Sequence, residues 1–393
     1  MEWARAARAS RTTEIVRISE RIRGREDVIA FTIGKPAPET VPIEWLREVA
    51  KEVVDSYGVY LWEYSSTQGD ICDTIVNLLK DDGFEIDESN VIILTGALHG
   101  GNLVTRAFID PGDMLALALP TYPINLQNFV MQTDNLLPLP LDDDGMVVEE
   151  LERKLKAGAR PKVVYVIPDF QNPTGVTLSL ERRKRLVELA DEYDFIVFED
   201  TPYRYMRYEG ETLPSLYQLN PERVVHVNSF SKTVSTSIRV GYAVARPDII
   251  QKFVSIRQAT DYATPLLNQM IIKHFIEKGY WKPQLERLNS IHGKRLKAFM
   301  EALEEHMPDE VKWTHPKGGT FIWLSLPDRI DMKSLLDRAL NHGTAFIPSS
   351  DFYPEWMSSE VPKAMRLNFP YYPEDKAIEG VKRLADAIKE ELA

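Results

Sequence analysis

The residues best suited to chemistry lie in one stretch, Asn228-Ser229-Phe230-Ser231-Lys232-Thr233-Val234-Ser235-Thr236-Ser237-Ile238-Arg239. The Ser229 and Ser231 hydroxyls and the Arg239 guanidinium are donors that suit a phosphate, and the lysine between them stays free for covalent chemistry with a carbonyl. Alone, such a stretch is equally well a solvated, hydroxyl-rich loop between two strands. Two others change the balance: Tyr165-Val166-Ile167-Pro168-Asp169-Phe170-Gln171-Asn172-Pro173-Thr174-Gly175 and Phe195-Ile196-Val197-Phe198-Glu199-Asp200-Thr201-Pro202-Tyr203. Each is a strand-like apolar run ending in polar groups. In an open α/β sheet ligands gather at the carboxyl ends of the strands, so Asn172, Asp200, Tyr203 and Lys232 are expected to converge there.

Adding Tyr64, Thr95-Gly96-Ala97, Pro120-Thr121-Tyr122, Arg239 and Arg366 in this order, the chain resembles the class I/II aminotransferases, the fold-type I enzymes that use pyridoxal 5'-phosphate. The resemblance covers nearly the whole length. It is nearest to the 2-aminoadipate and aromatic aminotransferase branch, which Lys317-Gly318-Gly319-Thr320-Phe321 and Gln258-Ala259-Thr260-Asp261 also resemble.

The resemblance implies a role for each position. Lys232 would hold the cofactor as a Schiff base and then move the substrate proton, Asp200 would face the pyridine nitrogen, and Asn172 and Tyr203 would bond the phenolic oxygen. Tyr122 would stack on the ring; its bland alternative is a packed core tyrosine. The backbone of Gly96, Ala97 and Leu98 would cradle the phosphate together with Ser229, Ser231 and Arg239. Tyr64 would reach across a homodimer interface to the phosphate of the neighbouring subunit. Arg366 would clamp the substrate carboxylate as a two-pronged fork, with Gly34 and Asn172 beside it. Gly34 is otherwise an ordinary turn. The chain departs from its relatives at Asp73-Thr74, where Leu-Arg is usual, and at Thr236-Ser237, where Pro-Gly is usual.

Elements must bring these groups together. A chain of 393 residues exceeds the roughly 250–300 that one core supports, so more than one domain is expected. The division drawn is 1–50 as an arm and part of a small domain, 51–282 as the cofactor domain, and 283–393 as a small α+β domain. The large domain is expected to carry a mostly parallel, seven-stranded-type sheet between helices, because strands and helices alternate from Val91 to Val244. Helices are expected over Thr12 to Arg25, Pro42 to Tyr57, Asn102 to Phe108, Val147 to Ala157, Ser179 to Tyr193, from Trp281-Lys282-Pro283 to about His306, and Glu374 to Leu392. His99 is assigned a structural place, because the cradle uses backbone groups.

Composition narrows the function. A net charge of −12 argues against nucleic acid as a partner. The single cysteine, Cys72, cannot form an internal disulfide and fits a reducing cytoplasm. No signal or membrane segment is expected. The acidic triplet Glu149, Glu150, Glu152 reads as solvated, and no metal site is expected. Transamination between an L-amino acid and a 2-oxo acid, with 2-oxoglutarate as acceptor, is the first reading. A lyase, oxidase or deaminase using the same cofactor is the second. The third is a non-catalytic effector domain that binds it. The N-terminal arginines Arg17, Arg21, Arg23 and Arg25 are a solvated face or, at Arg23 in particular, a cation that meets an acidic side chain.

Overall fold

The computed structural model describes residues 2–32 and 34–393. Near-continuous apolar runs form Val91–Leu94, Leu115–Leu119, Val163–Val166, Ile196–Asp200 and Val224–Ser229, and every residue of these strands is buried. Strands read this way when helices cover both faces of their sheet. Side chains alternate between the two layers: Ile92 and Leu94 enter one core, Val91 and Ile93 the other.

The sheet has eight strands, one more than expected. Its order is Val91–Leu94, Gly241–Val244, Val224–Ser229, Ile196–Asp200, Val163–Val166, Leu115–Leu119, Leu136–Asp142, Gly145–Met146. The extra member is the two-residue strand Gly145–Met146, which folds back on Leu141 and Asp142 through the polar turn at Asp143-Asp144. Gly241–Val244 is antiparallel to both of its neighbours, so Val91–Leu94 points the same way as Val224–Ser229. The remaining pairs from Val224–Ser229 to Leu136–Asp142 are parallel. The carboxyl ends of six strands and the amino end of Gly241–Val244 therefore share one edge.

A second, antiparallel sheet of four strands holds Lys312–Trp313, Phe321–Ser325, Ala364–Asn368 and Ile347–Pro348, with Arg366 in a central strand between Trp323 and Ile347. The helix Trp281–His306 leads into it; at about 1.5 Å per residue its 26 residues span about 39 Å. Residues Ile29–Ala30 pair with Thr344–Ala345, which ties the N-terminal segment to this part of the chain.

The elements differ from expectation at two places that matter for the site. The N-terminal helix is Glu14–Arg21, shorter at both ends, because Thr13 is extended and Gly24 turns with φ +77°. The helix expected from Asn102 begins five residues earlier and spans Ala97–Phe108, with Gly96 as its cap. The helices Pro123–Gln132, Pro247–Gln258, Leu266–Glu277 and Met332–Asn341 were not anticipated.

Candidate active site

A cavity of about 430 Å³ opens at the shared sheet edge. Lys232 sits three residues past the end of Val224–Ser229, half-buried on its wall, and its Nζ donates to the Gly34 carbonyl at 2.7 Å. Burial, with the positive charges of Arg366 and Arg239, lowers its pKa to about 8. Near neutral pH an appreciable fraction of this amine is therefore uncharged and nucleophilic.

Asp200 ends its strand fully enclosed. Its Oδ2 accepts from Tyr165 Oη at 2.9 Å and from Asn125 Nδ2 at 3.0 Å, while its Oδ1 has no partner among the described residues. Burial raises its pKa to about 7 against the pull of those two donors. A buried carboxylate oxygen aimed at a cavity with nothing to accept from is a place for a cationic N–H. Asn125 and Tyr165 were not identified from sequence as site residues. Asn125 lies one helical turn beyond Tyr122, and a polar residue buried in that helix is the signal that could have found it.

Across the cavity Asn172 Nδ2 faces Tyr203 Oη at 3.4 Å, and its Oδ1 accepts from Arg366 at 3.0 Å. The other Arg366 prong donates to the Thr32 carbonyl at 2.6 Å, and the guanidinium lies over the rings of Phe321 and Phe352 at 4.3 and 5.1 Å. Burial lowers its pKa to about 10, so it remains a cation at neutral pH. Gly34 packs so closely here that a Cβ would stand 2.4 Å from Phe321 Cζ.

The third corner has the makings of an anion cradle. Gly96 takes φ +80°, after which the helix from Ala97 leaves its first backbone N–H groups without intrahelical partners. Arg239 donates to the Thr95 carbonyl at 2.9 Å and to Ser231 Oγ at 3.1 Å, and Ser229 Oγ bonds Ser231 Oγ at 2.9 Å. A Cβ on Gly96 would strike Arg239 at 2.3 Å, and one on Gly241 would strike the Asn228 carbonyl at 2.6 Å. Ala97, Leu98 and Tyr122 complete the wall, and burial lifts the Tyr122 pKa to about 12. The open Asp200 Oδ1, the Lys232 amine and the donors of Arg239, Ser229 and Ser231 thus stand around one cavity, a set of groups that fits pyridoxal phosphate. His99 takes the structural place assigned to it: its Nδ1 accepts the Thr95 N–H at 3.4 Å and its Nε2 faces Asp261 at 3.5 Å.

Two expected site residues stand elsewhere. Tyr64 is 90% exposed, with its ring edge-on to Tyr262 at 5.4 Å, and does not enter the cavity of its own chain. Arg23 is exposed beyond the end of its helix and is not on the wall; the expectation for it is not met in this arrangement. The helix turns Thr13, Ile15 and Val16 to the cavity instead. Arg17, Arg21 and Arg25 are engaged by Glu14, Asp337 and Asp27.

Residues 26–384 match the family described as Aminotransferase class I and II. Aromatic-amino-acid aminotransferase 1 of Thermococcus litoralis is 39% identical, over all of this chain and 94% of its own. The 2-aminoadipate transaminase of Thermus thermophilus is 33% identical, over 98% of this chain and 95% of its own. The solved kynurenine aminotransferase of Pyrococcus horikoshii, in complex with PMP, superposes with a TM-score of 0.93 at 39% identity, covering 100% of this chain and 98% of that one. With this match along its length and this set of groups around one cavity, the chain belongs to the class I and II aminotransferases, pyridoxal phosphate-dependent enzymes of fold type I.

Proposed function

We propose that this aminotransferase takes amino donors whose side chains are apolar or aromatic and passes the amino group to a 2-oxo acid. One observation carries the choice of donor. Among the described residues that line the cavity, the cations are Lys232, Arg239 and Arg366, and each is committed: to the cofactor carbonyl, its phosphate and the substrate α-carboxylate. The rest of the wall on the N-terminal side is Thr13, Ile15, Val16, Ile124 and Thr236, which bear no charge. A buried second carboxylate would find no partner there. Half-reaction kinetics test this: each amino acid alone converts the bound cofactor to its amine form, and kcat/KM is read as the second-order rate constant of that conversion. Phenylalanine and leucine should exceed 2-aminoadipate and glutamate in kcat/KM; equal or better values for the acidic donors would overturn it.

Bound pyridoxal phosphate supplies an electrophilic carbonyl carbon and a ring that takes up the electrons released at the substrate Cα. The chain's residues supply the rest. Lys232 would hold the cofactor and serve as the base for the proton at Cα. Asp200 would keep the ring nitrogen protonated through its open Oδ1. Asn172 and Tyr203 would bond the phenolic oxygen, and Arg366 would orient the carboxylate with Gly34 beside it. Tyr122 would pack against the ring and exclude water.

The protein is further proposed to act as a homodimer in which Tyr64 completes the phosphate site of the partner subunit. Its exposure beside exposed Val59, Tyr60, Trp62 and Tyr262 supports this, since such a patch suits a protein partner. The domain division 1–50, 51–282 and 283–393 is likewise a proposal, supported by the placement of the two sheets on either side of residue 283. No helix among the described residues is long and apolar enough to cross a membrane. The cytoplasm is proposed on the single, buried Cys72.

A further inference from the structure

The helix Trp281–His306 buries three polar side chains that the reaction does not use: Gln284, His292 and Arg295. Gln284 donates to the Thr40 carbonyl at 2.8 Å and to the Thr233 carbonyl at 2.7 Å. Arg295 pairs with Glu39 and donates to the Pro370 carbonyl at 2.5 Å. His292 makes the most directional set. The Ala37 N–H donates to its Nε2 at 3.0 Å, which makes that nitrogen the acceptor and leaves the ring proton on Nδ1. Nδ1 then donates to Tyr208 Oη at 3.2 Å, and Tyr208 donates to the Gly319 carbonyl at 2.5 Å. Every donor in this chain meets one acceptor.

Its two ends are the segments that frame Arg366. Ala37 belongs to the stretch whose Thr32 carbonyl receives one Arg366 prong and whose Gly34 lines the cavity. Gly319 leads into Phe321, whose ring lies against the same guanidinium. Gly34 and Phe321 meet with no room for a Cβ between them, so a shift of either segment reaches the arginine. The Tyr208 side is itself fixed: its N–H donates to the Lys317 carbonyl at 2.9 Å, and the Gly319 N–H donates to the Met206 carbonyl at 2.7 Å.

We propose that His292 and Tyr208 are positioning residues for recognition of the substrate carboxylate, holding Thr32, residues 34–37 and residues 319–321 at the separation that aims Arg366 into the cavity. This rests on the reading of Arg366 given above. Neither residue touches substrate. Because the carboxylate is common to amino acid and 2-oxo acid, both partners feel the loss.

The test compares His292→Ala, His292→Gln, Tyr208→Phe and Arg366→Leu as holoenzymes. The Kd of 3-phenylpropionate, a carboxylate without an amine, is read from the cofactor's visible absorbance, alongside cofactor affinity and KM for both partners. His292→Ala and Tyr208→Phe should each raise Kd and both KM values about tenfold, the scale of one lost buried hydrogen bond, with kcat and cofactor affinity unchanged. Glutamine can accept from Ala37 and donate to Tyr208, so His292→Gln should recover most of the binding. The inference is overturned if Kd stays at the wild-type value in His292→Ala and Tyr208→Phe while Arg366→Leu raises it. Cofactor affinity falling in step with Kd, or glutamine performing no better than alanine, would reduce both residues to fold maintenance and overturn it equally. An unchanged Kd in Arg366→Leu removes the underlying reading and this inference with it. Should His292→Ala fail to fold, Tyr208→Phe, which deletes one oxygen, decides.

Discussion

Asp200→Asn should stabilise the cofactor-free protein while destroying its ability to hold a protonated ring nitrogen. The asparagine Oδ1 can accept from Tyr165 and Asn125 as the aspartate Oδ2 does, and its amide group then occupies the position of the open Oδ1. The cost removed is that of a buried charge. The folded pKa of Asp200 is about 7, against about 3.9 for an aspartate in an unfolded chain. Because the folded value is raised, the folded state binds the extra proton across this interval. Stability linked to Asp200 is therefore full below about pH 3.9 and is lost as pH rises through about 7. At 1.36 kcal/mol per unit the three-unit gap makes the neutral asparagine protein more stable than wild type by roughly 4 kcal/mol at pH 8. At pH 5, where folded Asp200 is already protonated, the same linkage leaves roughly 1–2 kcal/mol. Urea denaturation of both apoproteins between pH 5 and pH 8.5 measures this directly. An asparagine variant no more stable than wild type at pH 8, or a difference that does not shrink toward pH 5, would refute the account of Asp200 as a carboxylate awaiting a cationic partner.

Gly96→Ala puts a methyl group 2.3 Å from the Arg239 guanidinium at a backbone angle of φ +80°, so cofactor affinity should fall at least tenfold; equilibrium reconstitution of the apoprotein checks it. Mixing Tyr64→Phe with Lys232→Ala should produce hybrids with one site free of both lesions and a recovery of turnover above either variant alone, whereas hybrids that form without recovery would exclude a shared site. Arg21→Ala and Arg23→Ala should leave the ratio of kcat/KM for glutamate and phenylalanine unchanged, because Arg21 is paired with Asp337 and Arg23 stands away from the cavity; a selective loss on glutamate would return these arginines to side-chain selection.

The sheet was legible because its strands are hydrophobic on both faces, and runs such as Val91-Ile92-Ile93-Leu94 leave few alternatives. The long helix Trp281–His306 and the closing helix Glu374–Leu392 were legible from period and length. Helix starts were less so. Ala97-Leu98-His99-Gly100-Gly101 has a poor helical composition, yet the helix begins there because Gly100 and Gly101 sit against Val227 and Asn125 with no space for larger residues. Close packing overrode propensity at that point. The same displacement puts the first-turn N–H groups of Ala97 and Leu98 at the cavity, where the family resemblance had already placed the backbone donors.

The family resemblance named the reacting groups but not the donors that hold Asp200, and the adjacent acids Glu199 and Asp200 illustrate the reason. In sequence they are nearly interchangeable. The pleat sends them to opposite faces of the sheet, where both are buried. Glu199 receives the backbone N–H groups of Leu216 and Tyr217 at 2.7 and 3.2 Å and pairs with His226 at 2.8 Å. Burial alone would push its pKa up, and these partners outweigh burial and bring it below the usual range. Asp200 has two donors on one oxygen and none on the other, and burial prevails. The acid whose hydrogen bonding is complete holds the fold, and the acid left one partner short is the one proposed to meet the cofactor. That difference depends on residues 17 to 75 positions away in the chain, which is why no reading of the local sequence reaches it.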